Sequence, residues 1–492
     1  MTVKNNDFLF LLVGIILAGL AALALSSPDA IIGLYGVAGM LGIVMVLAII
    51  IKPNFGATIL IIAIFTNISA QLTDHGYPAV VKPLVAVVFG AIMVRNYYAG
   101  QLPKDRKKTA AIETFIIMYF AVITMSYLVA ADKNRALDAV LDMGKDIIII
   151  YTILFALREW RTWKQAIWVI ILTTAALSML GVYQVVTGDH AQDFFGLSTV
   201  QAEGILETTD ATSARVSGPV HDPNMWAQII VPVMALVLFQ IMHEPRVKLK
   251  ILGVGILAAL LIVLLNTYSR GGYLAFMVVG FLTFFVFEKR IHPLVAVAGL
   301  GLLVLLIPFL PADYRSRFES LSFLSDGSSG VYQDSSLQGR SSVMLSGLTM
   351  FAYNPLLGVG ASNFMNNYQK YNQIVGLEFK YGEREAHSLY TQILAETGIL
   401  GGVSFFGIMA SLLSGLAKTV KSIQNLPAYK SYIHWVVSLQ VAIVGYLVAA
   451  TFLHDAFIRY FWILVALALT AIQLIDERLN SMDRSKFLED SL

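Results

Sequence analysis

Four residues set out the chemistry this chain could perform. Arg215 lies in Thr212-Ser213-Ala214-Arg215-Val216-Ser217-Gly218-Pro219, just ahead of His221-Asp222-Pro223-Asn224. Arg270 lies in Thr267-Tyr268-Ser269-Arg270-Gly271-Gly272, Arg340 in Gln338-Gly339-Arg340-Ser341-Ser342, and His387 in Ala386-His387-Ser388-Leu389-Tyr390. The arginine fork donates two parallel hydrogen bonds and suits phosphate better than any other side chain. A histidine at a helix start meets the positive end of the helix dipole, which disfavours imidazolium and leaves a neutral imidazole able to take a proton. Together they point to a phosphate or pyrophosphate ligand beside a general base. Each also has a plainer use: an arginine at a helix end anchors the chain by snorkelling to the headgroups, and an interfacial histidine can simply satisfy a hydrogen bond.

The elements that must hold these residues are membrane helices. Only 13% of the 492 residues are charged and 57% are hydrophobic, against about 25% charged in a soluble protein. With a mean hydropathy of +0.72, the composition is that of an integral membrane protein. A net charge of +2 without a basic tract gives no reason to expect a nucleic-acid partner. There is no cysteine, which excludes disulfides, thiolate catalysis and cysteine-ligated metals. Apolar runs of about 20 residues are expected to span the bilayer. They fall at 8–25, 31–51, 54–72, 82–98, 110–130, 139–157, 163–185, 225–242, 250–267, 271–287, 291–310, 390–417, 433–453 and 456–475, about fourteen in all. The first is too long for a signal-peptide apolar region of about 7–15 residues and reads as a helix.

Lys and Arg collect in the loops at 99–108, 158–164, 246–250, 289–290 and 418–432. With fourteen crossings these share one side, which the positive-inside rule makes cytoplasmic, together with both termini. The outer side then receives 186–224, the short turn at 267–271 and the long loop 311–386, and so all four residues above. In the long loop, Phe351, Leu356, Leu357 and Phe364 suggest one or two amphipathic helices lying on the membrane. The glycines flanking Arg270 would let the backbone approach a ligand closely. No phosphate-binding Gly-rich loop of the ATPase type occurs, so an enzyme of this kind must take its energy from an activated substrate.

Other ionisable groups lie at membrane depth. Asp142, Lys145 and Asp146 share one helix face and read as a structural pair ahead of a proton relay. Glu396 is either functional, as intramembrane carboxylates commonly are, or a local cap. His454, Asp455 and Arg459 fall at the last outer turn, where they could line the same cavity. No metal-ligand spacing is present, and neither metal nor cofactor is expected.

In order along the chain stand Arg-Val-Ser-Gly-Pro…Asp-Pro-Asn (215–224), Tyr-Ser-Arg-Gly-Gly-Tyr (268–273), Gly-Arg-Ser-Ser (339–342), Asn-Pro-Leu-Leu-Gly-Val-Gly-Ala-Ser-Asn-Phe (354–364) and Ala-His-Ser-Leu-Tyr…Glu-Thr-Gly-Ile-Leu-Gly (386–401). This order resembles the O-antigen ligase and polymerase family over about residues 200–415. The resemblance implies an all-α, glycosyltransferase-C-like membrane enzyme of the bacterial inner membrane, acting on the periplasmic face. Its donor would be a glycan on undecaprenyl pyrophosphate and its acceptor a lipid A core or another glycan. On that basis Arg215 and Arg270 hold the pyrophosphate, Arg340 matches a further family arginine, and His387 deprotonates the acceptor hydroxyl, which attacks the anomeric carbon with inversion. Asp222, Asn224, Ser269, Tyr390 and Glu396, in the same motifs, are candidate supporting residues. Family members more often carry Asn after the histidine, where this chain has Ser388.

The expected organisation is an N-terminal set of membrane helices (1–199), a catalytic region (200–417) containing the loop 311–386, and C-terminal helices with a cytoplasmic tail (418–492). Ligation, polymerisation and protein glycosylation share the donor chemistry, so these residues leave all three open, with the span count leaning towards polymerisation. A transporter or flippase of envelope glycans is the alternative. Against it stand the absence of an internal repeat and the gathering of charge at the outer interface instead of the midplane.

Overall fold

A computed structural model describes residues 30–98, 107–203, 213–288, 335–376, 384–453 and 459–489. The N-terminal helices are α1 (Ala30–Ile51), α2 (Pro53–Phe65), α3 (Ile68–Asp74), α4 (Val81–Tyr98), α5 (Ala110–Ser126), α6 (Lys133–Ala156) and α7 (Trp160–Thr187). Two strands follow, β1 (Thr199–Glu203) and β2 (Ser213–Gly218), then α8 (Pro223–His243), α9 (Val247–Asn266) and α10 (Arg270–Phe281), which runs on as a π-helical stretch to Glu288. The remaining helices are α11 (Ser335–Tyr353), α12 (Phe364–Val375), α13 (Leu389–Ile423), α14 (Lys430–Ala449) and α15 (Arg459–Glu489).

Seven of these helical segments are long and apolar enough to cross a membrane, and the pair α2–α3, bent by 56° at Thr66-Asn67, passes the same test together, as a broken span or a re-entrant loop. Twelve of the expected spans coincide with described helices; 8–25 and 291–310 lie outside the described residues. Apolar residues all round a helix require burial on every side. α8 is such a helix, buried almost continuously from Trp226 to Gln240. α15 is buried from Tyr460 to Ile472, and the indole of Trp163 on α7 donates to the Leu467 carbonyl of α15 at 2.9 Å. α14 packs against both α8 and α15.

Two features depart from an all-helical reading. β1 and β2 form an antiparallel pair inside the 186–224 segment, with Gln201 opposite Arg215 and an irregularity at Thr199/Val200. α13 is broken at Gly398, whose φ of 63° and ψ of −160° are not helical. The break frees backbone groups that the connection after α11 takes up. Val359 and Gly360 donate to the carbonyls of Ala395 and Glu396 at 2.8 and 3.0 Å, and Ile399 donates to that of Pro355 at 2.7 Å. A broken helix can sit within a bilayer only when its backbone groups find such partners.

The long loop carries two helices, α11 and α12, packed on each other and, through α11, on α13; of the two, α12 is the amphipathic one. Arg340 therefore lies in a helix, α11, instead of in an irregular loop; its side chain is outside the described residues. Residues 311–334 and 377–383 of that loop also lie outside them.

Candidate functional site

The corner at which β2, α8, α9 and α10 meet is built by capping. Asp222 precedes Pro223, which suits a first helical position because it needs no N–H partner. The Asp222 carboxylate accepts from the N–H groups of Asn224 and Met225 at 2.7 and 2.8 Å and so starts α8. Ser269 starts α10 in the same way, its hydroxyl accepting from Gly272 N–H at 3.3 Å. Asp222→Ala should lower the stability of the detergent-purified protein by about 0.5–2 kcal/mol, the usual cost of losing such a cap. An unchanged thermal midpoint would show that the cap contributes nothing.

Arg215 is buried on β2, only 6% exposed. Its Nε donates to the Thr267 carbonyl at 2.9 Å and its Nη2 to Asn224 Oδ1 at 3.2 Å. It thereby ties the start of α8 to the three-residue turn Thr267–Ser269 that precedes Arg270. Of the arginines and histidine that the sequence reading places on one face, Arg215 and Arg270 meet at this corner together with Asp222, Asn224 and Ser269, and Arg215 acts there as a strut. Arg270 is the first residue of α10 and half-buried.

The glycines in these motifs are spent on packing. A Cβ on Gly271 would meet the Phe452 side chain at 2.9 Å, one on Gly272 the Cβ of Ala227 at 2.6 Å, and one on Gly218 the Trp226 ring at 2.5 Å. Gly271 and Gly272 thus bring α10 against α8 and the turn after α14; the expected close approach of ligand to backbone is not their visible use.

His387 is exposed and stands just outside α13, ahead of Ser388, the N-cap residue, with φ at 47°. Left-handed non-glycine residues cost of order 1–3 kcal/mol each and gather at functional sites. Asn67, His221, Tyr268 and Ser362 share this conformation. Tyr390, in the first turn of α13, donates to the Leu447 carbonyl of α14 at 2.8 Å and also bonds Thr451. Phe452, one residue further, is the side chain against which Gly271 packs. One short turn, Ala450–Phe452, therefore joins the helix that starts beside His387 to the helix that starts with Arg270.

Glu396 is buried in α13 and serves the loop before α12. Its carboxylate accepts from the N–H groups of Ser362 and Phe364 at 3.0 and 3.1 Å, and the Gln392 amide donates to it at 3.4 Å. It holds that loop to α13. Contacts from the N-terminal helices, unread in the sequence, complete the locus. Asn67 and Gln71 donate to the Pro219 carbonyl at 3.0 and 2.7 Å, and the His221 imidazole lies 3.9 Å from Asp74. His454 and Asp455 lie outside the described residues. Among the described residues no group of three or more His, Asp or Glu side chains is placed to hold a metal ion.

Residues 255–406 match the family model described as O-Antigen ligase. The match takes in Arg270, Arg340, His387 and Glu396, while Arg215 lies ahead of it. No curated protein matches the chain.

Proposed function

We propose, from the match of residues 255–406 to the O-Antigen ligase family model, that this chain is an inverting glycosyltransferase of the O-antigen ligase and polymerase family in the bacterial inner membrane. It moves a glycan from undecaprenyl pyrophosphate to an acceptor hydroxyl on the periplasmic face. The observation that carries this reading is the short bridge Ala450–Phe452, which brings the Arg270 end of α10 beside the His387 end of α13. An anion-gripping side chain and a base then stand on adjacent helix starts, both of which present the positive end of a helix dipole.

Arg270 is the principal contact to the pyrophosphate. Arg215 adds its charge from behind and fixes the turn, and Arg340 is the third cation. As the anomeric carbon–oxygen bond breaks, negative charge grows on the leaving pyrophosphate, and fixed cations stabilise it more in the transition state than in the ground state. His387 takes the acceptor hydroxyl proton as the oxygen attacks from the opposite face. The energy resides in the donor, so neither nucleotide nor metal is needed.

The test is transfer by purified protein in detergent, with EDTA present and undecaprenyl-pyrophosphate-linked glycan as donor. Two acceptors are offered, a lipid A core and a second lipid-linked repeat unit. Product on lipid A core makes the protein a ligase, and a ladder of longer lipid-linked glycans makes it a polymerase. Arg270→Ala should lower transfer by about 10²–10³-fold, as loss of one transition-state donor does elsewhere. Undiminished transfer by Arg270→Ala would remove it from the donor site. Absence of product with either acceptor, and with protein acceptors, would overturn the transferase reading.

A further inference from the structure

A cavity of about 500 Å³ opens beside the proposed catalytic corner, on the face made by the N-terminal helices. It runs from the α2–α3 break at Asn67 to Asp142 and Asp146 of α6, Ser362 of the loop before α12, Gln392 of α13 and Arg459 of α15. The volume falls in the range of about 300–1,000 Å³ usual for small-ligand sites.

Two polar atoms in its wall are buried without a hydrogen-bond partner among the described residues, Asp146 Oδ1 and Gln392 Oε1. Asp146 is 3% exposed. An unsatisfied buried acceptor is costly and calls for a donor from a ligand or water. Asp142 is occupied by Lys145, and Arg459 lies in the same wall as Asp146. Gln392 is held in place by Glu396 through its amide nitrogen, and its oxygen is left buried without a partner.

The charge pattern selects among ligands. With Asp142 paired to Lys145, Asp146 and Arg459 are left in the wall, which gives no excess of cations to hold a pyrophosphate; that group belongs with Arg215 and Arg270. Two buried acceptors instead ask for hydroxyl donors, and apolar wall residues such as Ile64, Ile123 and Met143 suit the C–H faces of a ring. Gln392 lies in the first turns of α13, whose N-cap residue, Ser388, directly follows His387. A ring held there can present a hydroxyl to the imidazole.

We propose that this cavity binds a neutral sugar ring of the acceptor glycan, with Asp146 and Gln392 accepting hydrogen bonds from its hydroxyls. Binding of the ring stands on the cavity itself; its role as acceptor rests on the transferase reading above. N-terminal helices that carry none of the family motifs then take part in choosing the acceptor.

The experiment is saturation-transfer NMR on the full-length protein in detergent. The probes are methyl glycosides of glucose, galactose, mannose and N-acetylglucosamine, with inorganic pyrophosphate as the anionic comparison. Wild type should give saturation transfer to at least one glycoside. Asp146→Leu and Gln392→Leu should each weaken it about tenfold or more, the effect of losing a hydrogen bond to a buried group. Asp146→Asn, which keeps an acceptor oxygen, should retain binding, and so should Arg270→Ala. Retention in Asp146→Asn separates ligand contact from a folding defect. In the transfer assay Asp146→Leu should raise KM for the acceptor and leave KM for the donor unchanged.

No glycoside binding by wild type, binding indifferent to Asp146→Leu, or a raised donor KM in place of acceptor KM would overturn the proposal. The two readings fail separately. Transfer without cavity binding removes the cavity assignment alone, and cavity binding without transfer removes the transferase assignment alone.

Discussion

His387→Gly should abolish most glycan transfer while leaving the protein at least as stable as wild type. The two halves of this result have different causes. The imidazole is the base, and general-base catalysis is worth about 10²–10⁴-fold, so kcat should fall by that factor with the donor KM unchanged. The backbone at His387 is left-handed, with φ at 47°. Glycine adopts that conformation freely, while an L side chain there carries strain. Removing the side chain relieves the strain at an exposed position. His387→Ala should lose as much activity without the gain in stability, since alanine keeps the Cβ. His387→Asn, with a residue type that tolerates the left-handed region, should keep the stability and lack the base. Kinetics and thermal unfolding of the three variants together separate chemistry from backbone. Transfer by His387→Gly within threefold of wild type would remove the base assignment; a large fall in its thermal midpoint would remove the strain account.

Strain at a base of this kind has a structural purpose. His387 stands outside the first turn of α13, and Ser388, with φ −159° and ψ 124°, turns the chain into the helix. A left-handed residue followed by an extended one reverses the chain abruptly. The imidazole is thereby presented at the exposed helix start instead of being folded along its side. Tyr390 anchors that same turn to α14, so the reversal is held from below.

How much of this was legible in the sequence depends on the range over which each signal acts. Asp222-Pro223 and Ser269-Arg270 are local signatures of helix starts, and both helices begin where those residues say. The three-residue turn before Arg270 was legible for the same reason. The strut formed by Arg215 was not, because its partner Thr267 is 52 residues away and the side chain reads equally well as a free cation. The grip of Asn67 and Gln71 on Pro219 spans about 150 residues and uses amides that carry no motif. Long-range polar contacts leave no periodicity behind. The strand pair was hidden because five- and six-residue strands rich in Thr, Val and Ser look like the rest of a polar connection. Glu396 was read as either functional or capping; its two backbone partners lie in the preceding loop, a placement that spacing within α13 does not encode.

The break in α13 went unread for a different reason. One glycine in a long apolar run is tolerated by a continuous helix at about 1 kcal/mol, so Gly398 alone does not announce a kink. What makes it one is a second motif. Asn354-Pro355-Leu356-Leu357-Gly358-Val359-Gly360 lies in the break and exchanges hydrogen bonds with both sides of it. A Cβ on Gly358 would stand 2.3–2.6 Å from the backbone of Ala395 and Glu396, and one on Gly398 would stand 2.4 Å from the Leu356 carbonyl. Each glycine clears space for the other's backbone, which gives a physical reason for two separate glycine-bearing motifs in one chain.

Gly358→Ala should therefore undock this connection. The obstacle is backbone, which cannot swing aside as a side-chain tip can, and φ at +65° adds left-handed strain of about 1–2 kcal/mol. The expected result is local opening of α11 and α12 with the central bundle intact, since opening is confined to the unit that loses its contacts. Amide hydrogen exchange at Val359, Gly360 and Ile399 should quicken, because their acceptors are the carbonyls that separate. Transfer should fall about 10²-fold or more, as small misplacements of catalytic groups do. Gly376→Ala provides the comparison: its φ is +70°, yet nothing lies within 4 Å of the added Cβ. That variant carries the conformational strain without the collision and should keep normal exchange at the three amides. If Gly376→Ala and Gly358→Ala behaved alike, conformational strain would account for both and the docking of the loop into the α13 break would not be what holds the site. If Gly358→Ala alone opens the connection, the kink at Gly398 is the joint through which the loop helices are fixed to the helix that presents His387.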